Sequence, residues 1–131
     1  MAVAPAPVMD PGHALLARLN PAQREAVTCQ APALLVYAGA GTGKTRVLTH
    51  RIAHLIAADG VPPRAVLATT FTRKAAAELR ARLARMVPGD GQAVTAGTFN
   101  SIGYGFLRHF RHLSPYGPQL EVCDPGAQLG L

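Results

Sequence analysis

The sequence has no tryptophan and only two cysteines, Cys29 and Cys123. Two cysteines without metal-ligand spacing exclude a disulfide scaffold and a cysteine-rich zinc site, and they fit buried reduced thiols in a cytosolic protein. A cytoplasmic location is therefore expected. No apolar run approaches the roughly 18 residues of a membrane span, so a membrane partner is not expected. The opening "MAVAPAPVMDPGH" carries no basic residue ahead of its apolar stretch, which argues against a secretory signal. Acidic residues are also sparse. The seven carboxylates are Asp10, Glu25, Asp59, Glu78, Asp90, Glu121 and Asp124, and no two are adjacent. Lysine is rarer still, with Lys44 and Lys74 the only two among thirteen basic residues.

What is present is apolar and basic. Residues that are 49% apolar, with a mean hydropathy of +0.16, can build a core, which excludes disorder throughout. A length of 131 residues allows one domain at most. The net charge of +6 favours polyanionic partners, nucleic acid or nucleotide, over acidic ones. A solvated basic surface gives the same balance.

Elements alternate along the chain. Residues 1–14, rich in Ala and Pro, read as a loose tail, with the folded part at 15–131. "LNPAQREAVTCQ" (Leu19 to Gln30) reads as a helix with Asn20 as N-cap, Pro21 at the first helical position and Gln23 where a capping box places Glu or Gln. Three short apolar runs read as buried strands: Ala33 to Gly39, Ala65 to Phe71 and Ala93 to Phe99. "LEVCD" (Leu120 to Asp124) is a candidate fourth. Helical stripes follow the first three: Leu48/Ile52/Leu55/Ile56, Ala75/Leu79/Leu83/Met86 and Ile102/Phe106/Phe110/Leu113. "DGVPP" and "PGDGQ" stop the first two. Strand–helix alternation with apolar strands predicts an α/β fold, a parallel sheet flanked by helices, with ligands at the carboxyl ends of the strands.

At one such end lies "AGAGTGKT", Ala38, Gly39, Ala40, Gly41, Thr42, Gly43, Lys44 and Thr45. It matches the phosphate-loop pattern G-x-x-x-x-G-K-[ST] except that Ala38 stands for the first glycine. Glycines let successive backbone N–H groups curl around an anion. The following helix adds free amides and the positive end of its dipole. Lys44 can reach the outer phosphates, and Thr45 can offer its hydroxyl to Mg²⁺. A plain glycine turn would not need the lysine. The stretch is built to cradle the phosphates of a nucleoside triphosphate.

Four segments in order, "LNPAQREAV", "AGAGTGKTRVL", "TTFTRKAAAELRARL" and "TAGTFNSIGYGFLR", resemble the start of the UvrD/Rep/PcrA-type superfamily one DNA helicases over about Leu19 to Arg108. They are similar to the Q motif, motif I (Walker A), motif Ia and motif Ib. The resemblance implies a P-loop NTPase sheet of the RecA-like kind, use of ATP and Mg²⁺, single-stranded DNA as partner, and 3′-to-5′ unwinding coupled to ATP hydrolysis. It implies that Gln23 reads the adenine edge, for which an amide is suited; a capping-box role is compatible with this. Arg46 would lie beside the base or sugar, unless it is an ordinary first-turn arginine.

Phe71, Thr72 and Arg73 match motif Ia, where an aromatic can stack on a base; the competing reading makes Phe71 a core residue. Arg73 stands where the family usually has asparagine. Thr98, Phe99 and Asn100 match motif Ib, with Asn100 in place of histidine; a helix N-cap is its other reading. Arg80, Arg82 and Arg85 read as a solvated helix face. His109 and His112 have helical spacing, but no third ligand suggests a metal.

Hydrolysis also requires a carboxylate on Mg²⁺ and a neighbouring acid to orient water. The family's apolar run followed by Asp-Glu does not occur in these 131 residues. The sequence thus reads as a helicase ATP-binding domain truncated before the Walker B motif, able to bind ATP, with Lys44 as the catalytic-loop cation, but not to turn it over alone. An incomplete sheet would expose apolar edges and limit solubility. A small P-loop kinase shares the loop but leaves "TTFTRKAAAEL" unexplained, and a non-catalytic nucleotide-binding remnant is the other alternative. Repair, replication restart and recombination all stay open.

Overall fold

The structure, a computed structural model, describes residues 11–113. Its helices are α1 (Pro11–Leu16), α2 (Pro21–Thr28), α3 (Lys44–Ala57), α4 (Arg73–Met86) and α5 (Phe99–His109). Its strands are β1 (Leu67–Thr70) and β2 (Thr95–Thr98). The strands pair in parallel with Leu67 opposite Thr95 and Thr70 opposite Thr98. Parallel neighbours need a long crossover, and α4 supplies it.

Helices α2, α4 and α5 begin where the sequence offers a side-chain cap. Asn20 Oδ1 accepts from Gln23 N–H at 2.8 Å, and Gln23 Oε1 accepts from Asn20 N–H at 3.2 Å, a complete capping box with Pro21 just inside. Thr72 Oγ1 accepts from Ala75 N–H at the start of α4, and Thr98 Oγ1 from Ser101 N–H at the start of α5. Helix α3 is the exception, with Gly43 at its N-cap and no side-chain cap.

The core lies between α3, α4 and the sheet. Ile52, Ala53 and Ile56 pack with Ala68, Leu79, Leu83, Val87 and Val94. Full burial of a leucine such as Leu79 or Leu83 stabilises by about 1.5–3 kcal/mol. Gly91 sits so close to α4 that a Cβ there would overlap the Leu83 carbonyl. A smaller cluster of Leu19, Val27 and Val47 joins α2 to α3. Arg51 ties the same two helices: its guanidinium donates to the carbonyls of Ala26, Val27 and Cys29 at 2.9–3.2 Å, satisfying the end of α2. His50 Nδ1 meets Leu15 O at 2.8 Å and holds α1.

Several expectations are corrected. Ala33 to Gly39 is not a buried strand but has no regular secondary structure, with Leu35 92% and Tyr37 100% exposed. A strand needs a neighbour for its backbone N–H and C=O groups, and among the described residues β1 and β2 pair only with each other. The two formed strands are shorter than the apolar runs that announced them. Helix α5 has no buried residue, so Phe106, Phe110 and Leu113 form an exposed stripe rather than a packed one. The helix α1 begins at Pro11, inside the stretch read as tail. Arg80 is not simply solvated, because it donates to Ala96 O at 2.6 Å and links α4 to β2. Leu120 to Asp124 and Cys123 lie outside the described residues.

Candidate nucleotide site and nucleic-acid edge

The loop from Ala38 to Gly43 enters α3 through two glycines in left-handed backbone, Gly41 at φ +77° and Gly43 at φ +91°. Side chains beyond glycine pay about 1–2 kcal/mol there. A Cβ on Gly43 would also stand 2.9 Å from Gln23 Nε2. The loop is braced from within: Thr42 Oγ1 donates to Gly39 O at 2.8 Å, and Lys44 Nζ donates to Ala38 O at 2.8 Å and Gly39 O at 2.5 Å. The ammonium group is thus held over the loop mouth by carbonyls of the loop itself.

The first helical bond of α3 runs from Val47 N–H to Gly43 O at 2.9 Å. The amides of Lys44, Thr45 and Arg46 precede it, no side chain caps them, and no acid lies in the first turn. They and the dipole of a 14-residue helix leave this end positive. Ala40, Gly41, Lys44 and Thr45 are solvent-exposed. The glycine conformations, the uncapped amides and the ammonium are groups that can hold an anion, and the Thr45 hydroxyl is exposed beside them.

Gln23 joins this loop. Its Nε2 donates to Thr42 O at 3.1 Å while its Oε1 serves the capping box. A glutamine amide has two N–H donors and two acceptor sites, so one of each remains for a ligand. Arg46 points elsewhere, into an open cleft between α3 and α4.

A second group of expected residues meets at the carboxyl edge of the sheet. Thr70 and Thr98 are register partners. Beyond them come Phe71, Thr72 and Arg73 on one connection, and Phe99 and Asn100 on the other. Phe71 is 99% exposed and Phe99 78%, so the core reading of Phe71 does not hold. Thr98, not Asn100, caps α5; Asn100 is exposed in its first turn. Two phenyl rings, one guanidinium and one amide thus share one edge. At the end of α5 and just beyond it, Arg108, His109, Arg111 and His112 line an open basic surface with Gly105. Among the described residues no helix is long and apolar enough to cross a membrane.

The sequence reading missed the meeting of Arg46 with Arg82 and Arg85. The one visible signal was the i, i+3 spacing of Arg82 and Arg85, which sets both on one helical face.

Comparison with known proteins agrees with these motifs. Residues 19–131 match the family model of the UvrD/REP helicase N-terminal domain. The chain is 43% identical over 118 residues to DNA helicase II of Escherichia coli strain K12, covering 89% of this chain and 16% of that protein. It is 47% identical over 116 residues to ATP-dependent DNA helicase PcrA of Staphylococcus epidermidis, covering 88% and 16%. It is 48% identical over 103 residues to ATP-dependent DNA helicase UvrD1 of Mycobacterium tuberculosis strain H37Rv, covering 79% and 13%. The chain spans about a sixth of the length of these relatives. It belongs to the UvrD/REP helicase family, and residues 19–131 correspond to that family's N-terminal domain.

Proposed function

We propose that this chain is the nucleotide-gripping part of an ATP-dependent DNA helicase of the 3′-to-5′ type, with a RecA-like P-loop sheet at its centre. The observation that carries this reading is the loop: Gly41 and Gly43 in left-handed backbone, an uncapped helix behind them and Lys44 Nζ poised at the mouth.

In this reading the amides from Gly39 to Thr45 take phosphate oxygens, and Lys44 turns from the Ala38 and Gly39 carbonyls toward the outer phosphates. Thr45 is the ligand this chain offers to Mg²⁺. Bound Mg²⁺ neutralises phosphate charge. The free N–H and free acceptor of Gln23 read the adenine edge while its other two groups keep the loop attached to α2. Arg46 stays in the nucleotide set only if its side chain swings back from the α4 side.

The Phe71/Phe99 edge is the face for single-stranded DNA, with Thr72, Arg73, Thr98 and Asn100 as polar contacts. Bases stack on exposed aromatic rings without sequence preference, as a translocating motor requires.

Hydrolysis and unwinding are activities of a longer protein in this reading. The 131 residues contain no adjacent acidic pair to hold Mg²⁺ and orient water. This chain therefore binds ATP without turning it over. ATPase activity with and without single-stranded DNA, measured beside Lys44→Ala, tests this. Turnover well above the substituted chain would refute the division of labour.

A further inference from the structure

Three arginines of this chain have evident structural work: Arg24, Arg51 and Arg80 each donate to backbone carbonyls. Arg46, Arg82 and Arg85 have no such bond among the described residues. They converge with His50, Thr49 and Met86 on an open cleft of about 330 Å³ between α3 and α4. Among the described residues no carboxylate lines this cleft. Among the described residues the one contact between a carboxylate and a basic side chain, Asp59 with His54, lies at the far end of α3. His50, which also lines the cleft, has Nδ1 at 2.8 Å from Leu15 O. Thr49 is buried, and its hydroxyl is spent on the Thr45 and Arg46 carbonyls.

Arginines that line one cleft with no carboxylate among them carry unbalanced positive charge, which costs free energy. That cost is offset when an anion joins them, and planar guanidinium pairs suit the oxygens of a phosphate. We propose that this cleft binds a backbone phosphate of nucleic acid through Arg82 and Arg85. The contact is separate from the Phe71/Phe99 edge. Arg73 opens α4 and Arg85 lies twelve residues later, about 18 Å along the helix axis, so one phosphate cannot serve both. A strand or duplex arm passing down the α3/α4 flank would reach it.

The net charge of +6 and the rarity of acidic residues favour a polyanion over an acidic peptide only by number. The guanidinium geometry favours phosphate. The proposal shares with the proposed function the premise that the chain meets nucleic acid, and the test separates the two.

The test uses the unmodified chain with the arginine reagent phenylglyoxal, mapping modified residues by mass spectrometry. A single-stranded oligonucleotide is expected to protect Arg82 and Arg85 at least fivefold, while Arg18 and Arg64 keep reacting. Binding measured by anisotropy across a salt series then compares the chain with Arg82→Gln/Arg85→Gln. The slope of log affinity against log salt is expected to fall by about 0.7, the value for one phosphate contact on a single strand. Arg18→Gln/Arg64→Gln is expected to leave that slope unchanged. Binding with Arg82 and Arg85 still reactive would overturn this proposal and leave the helicase reading standing. Equal protection by MgATP alone, or by oligoglutamate, would reassign the cleft and also overturn it. Absence of any oligonucleotide binding would defeat both readings.

Discussion

Thr70 and Thr98 face each other in the last register position of the parallel ladder, so the chain leaves both strands at one level. Each is followed by an exposed phenylalanine, Phe71 and Phe99. Two phenylalanines 28 positions apart in the sequence, Phe71 and Phe99, thereby present aromatic rings on one edge, with a threonine cap, Thr72 or Thr98, beginning the helix beside each ring.

If that edge stacks bases, Phe71→Ala and Phe99→Ala should each weaken binding of a short single-stranded oligonucleotide by about 1–3 kcal/mol, roughly 5- to 150-fold. Both rings are solvent-exposed, so the melting temperature of the chain should stay within a degree or two. Anisotropy titration and thermal melting read the two effects separately. Weaker binding accompanied by a lower melting temperature would point to packing rather than stacking.

Gly43 carries two constraints at once. Gly43→Ala places a Cβ in left-handed backbone and against Gln23 Nε2. A loss of about 1–2 kcal/mol in stability is expected from the backbone alone. Pushing Gln23 aside should also break its bond to Thr42 O. Chemical denaturation checks the first effect. Amide exchange at Thr42 and Gly43, faster in the variant, checks the second.

Arg51 closes the end of α2 with three hydrogen bonds. Arg51→Met keeps much of the stem and removes the donors. Because bonds to a charged group contribute about 1.5–3 kcal/mol, the variant should unfold at lower denaturant by about that amount. Restoration by Arg51→Lys should be partial, since all three bonds run from one nitrogen, Nη1, and the lysine nitrogen sits one bond nearer the backbone. Full recovery with lysine would show that charge alone was sufficient.

Much of this was legible in the sequence because local rules decide it. The Asn20–Gln23 capping box, the threonine caps and the loop-to-helix entry at Gly43 depend on neighbours three or four residues away. Leu79 and Leu83 were legible from helical spacing, and both are fully buried. Ala33 to Gly39 was misread for a non-local reason. An apolar run reads as strand, but a strand forms only by pairing, and among the described residues β1 and β2 pair only with each other. The same reasoning applies to α5, whose Phe106 and Phe110 have helical spacing without a covering layer. The sharing of one cleft by Arg46 with Arg82 and Arg85 depends on how α3 crosses α4, which no periodicity reveals.

The grip of the loop on a triphosphate is tested most directly by isothermal calorimetry of this chain with MgATP, beside Lys44→Ala, after circular dichroism has established that both are folded. The account predicts saturable heat with one site for the unsubstituted chain and an affinity at least tenfold lower for the variant. A folded chain that gives no heat, or equal affinity without the lysine, would contradict it.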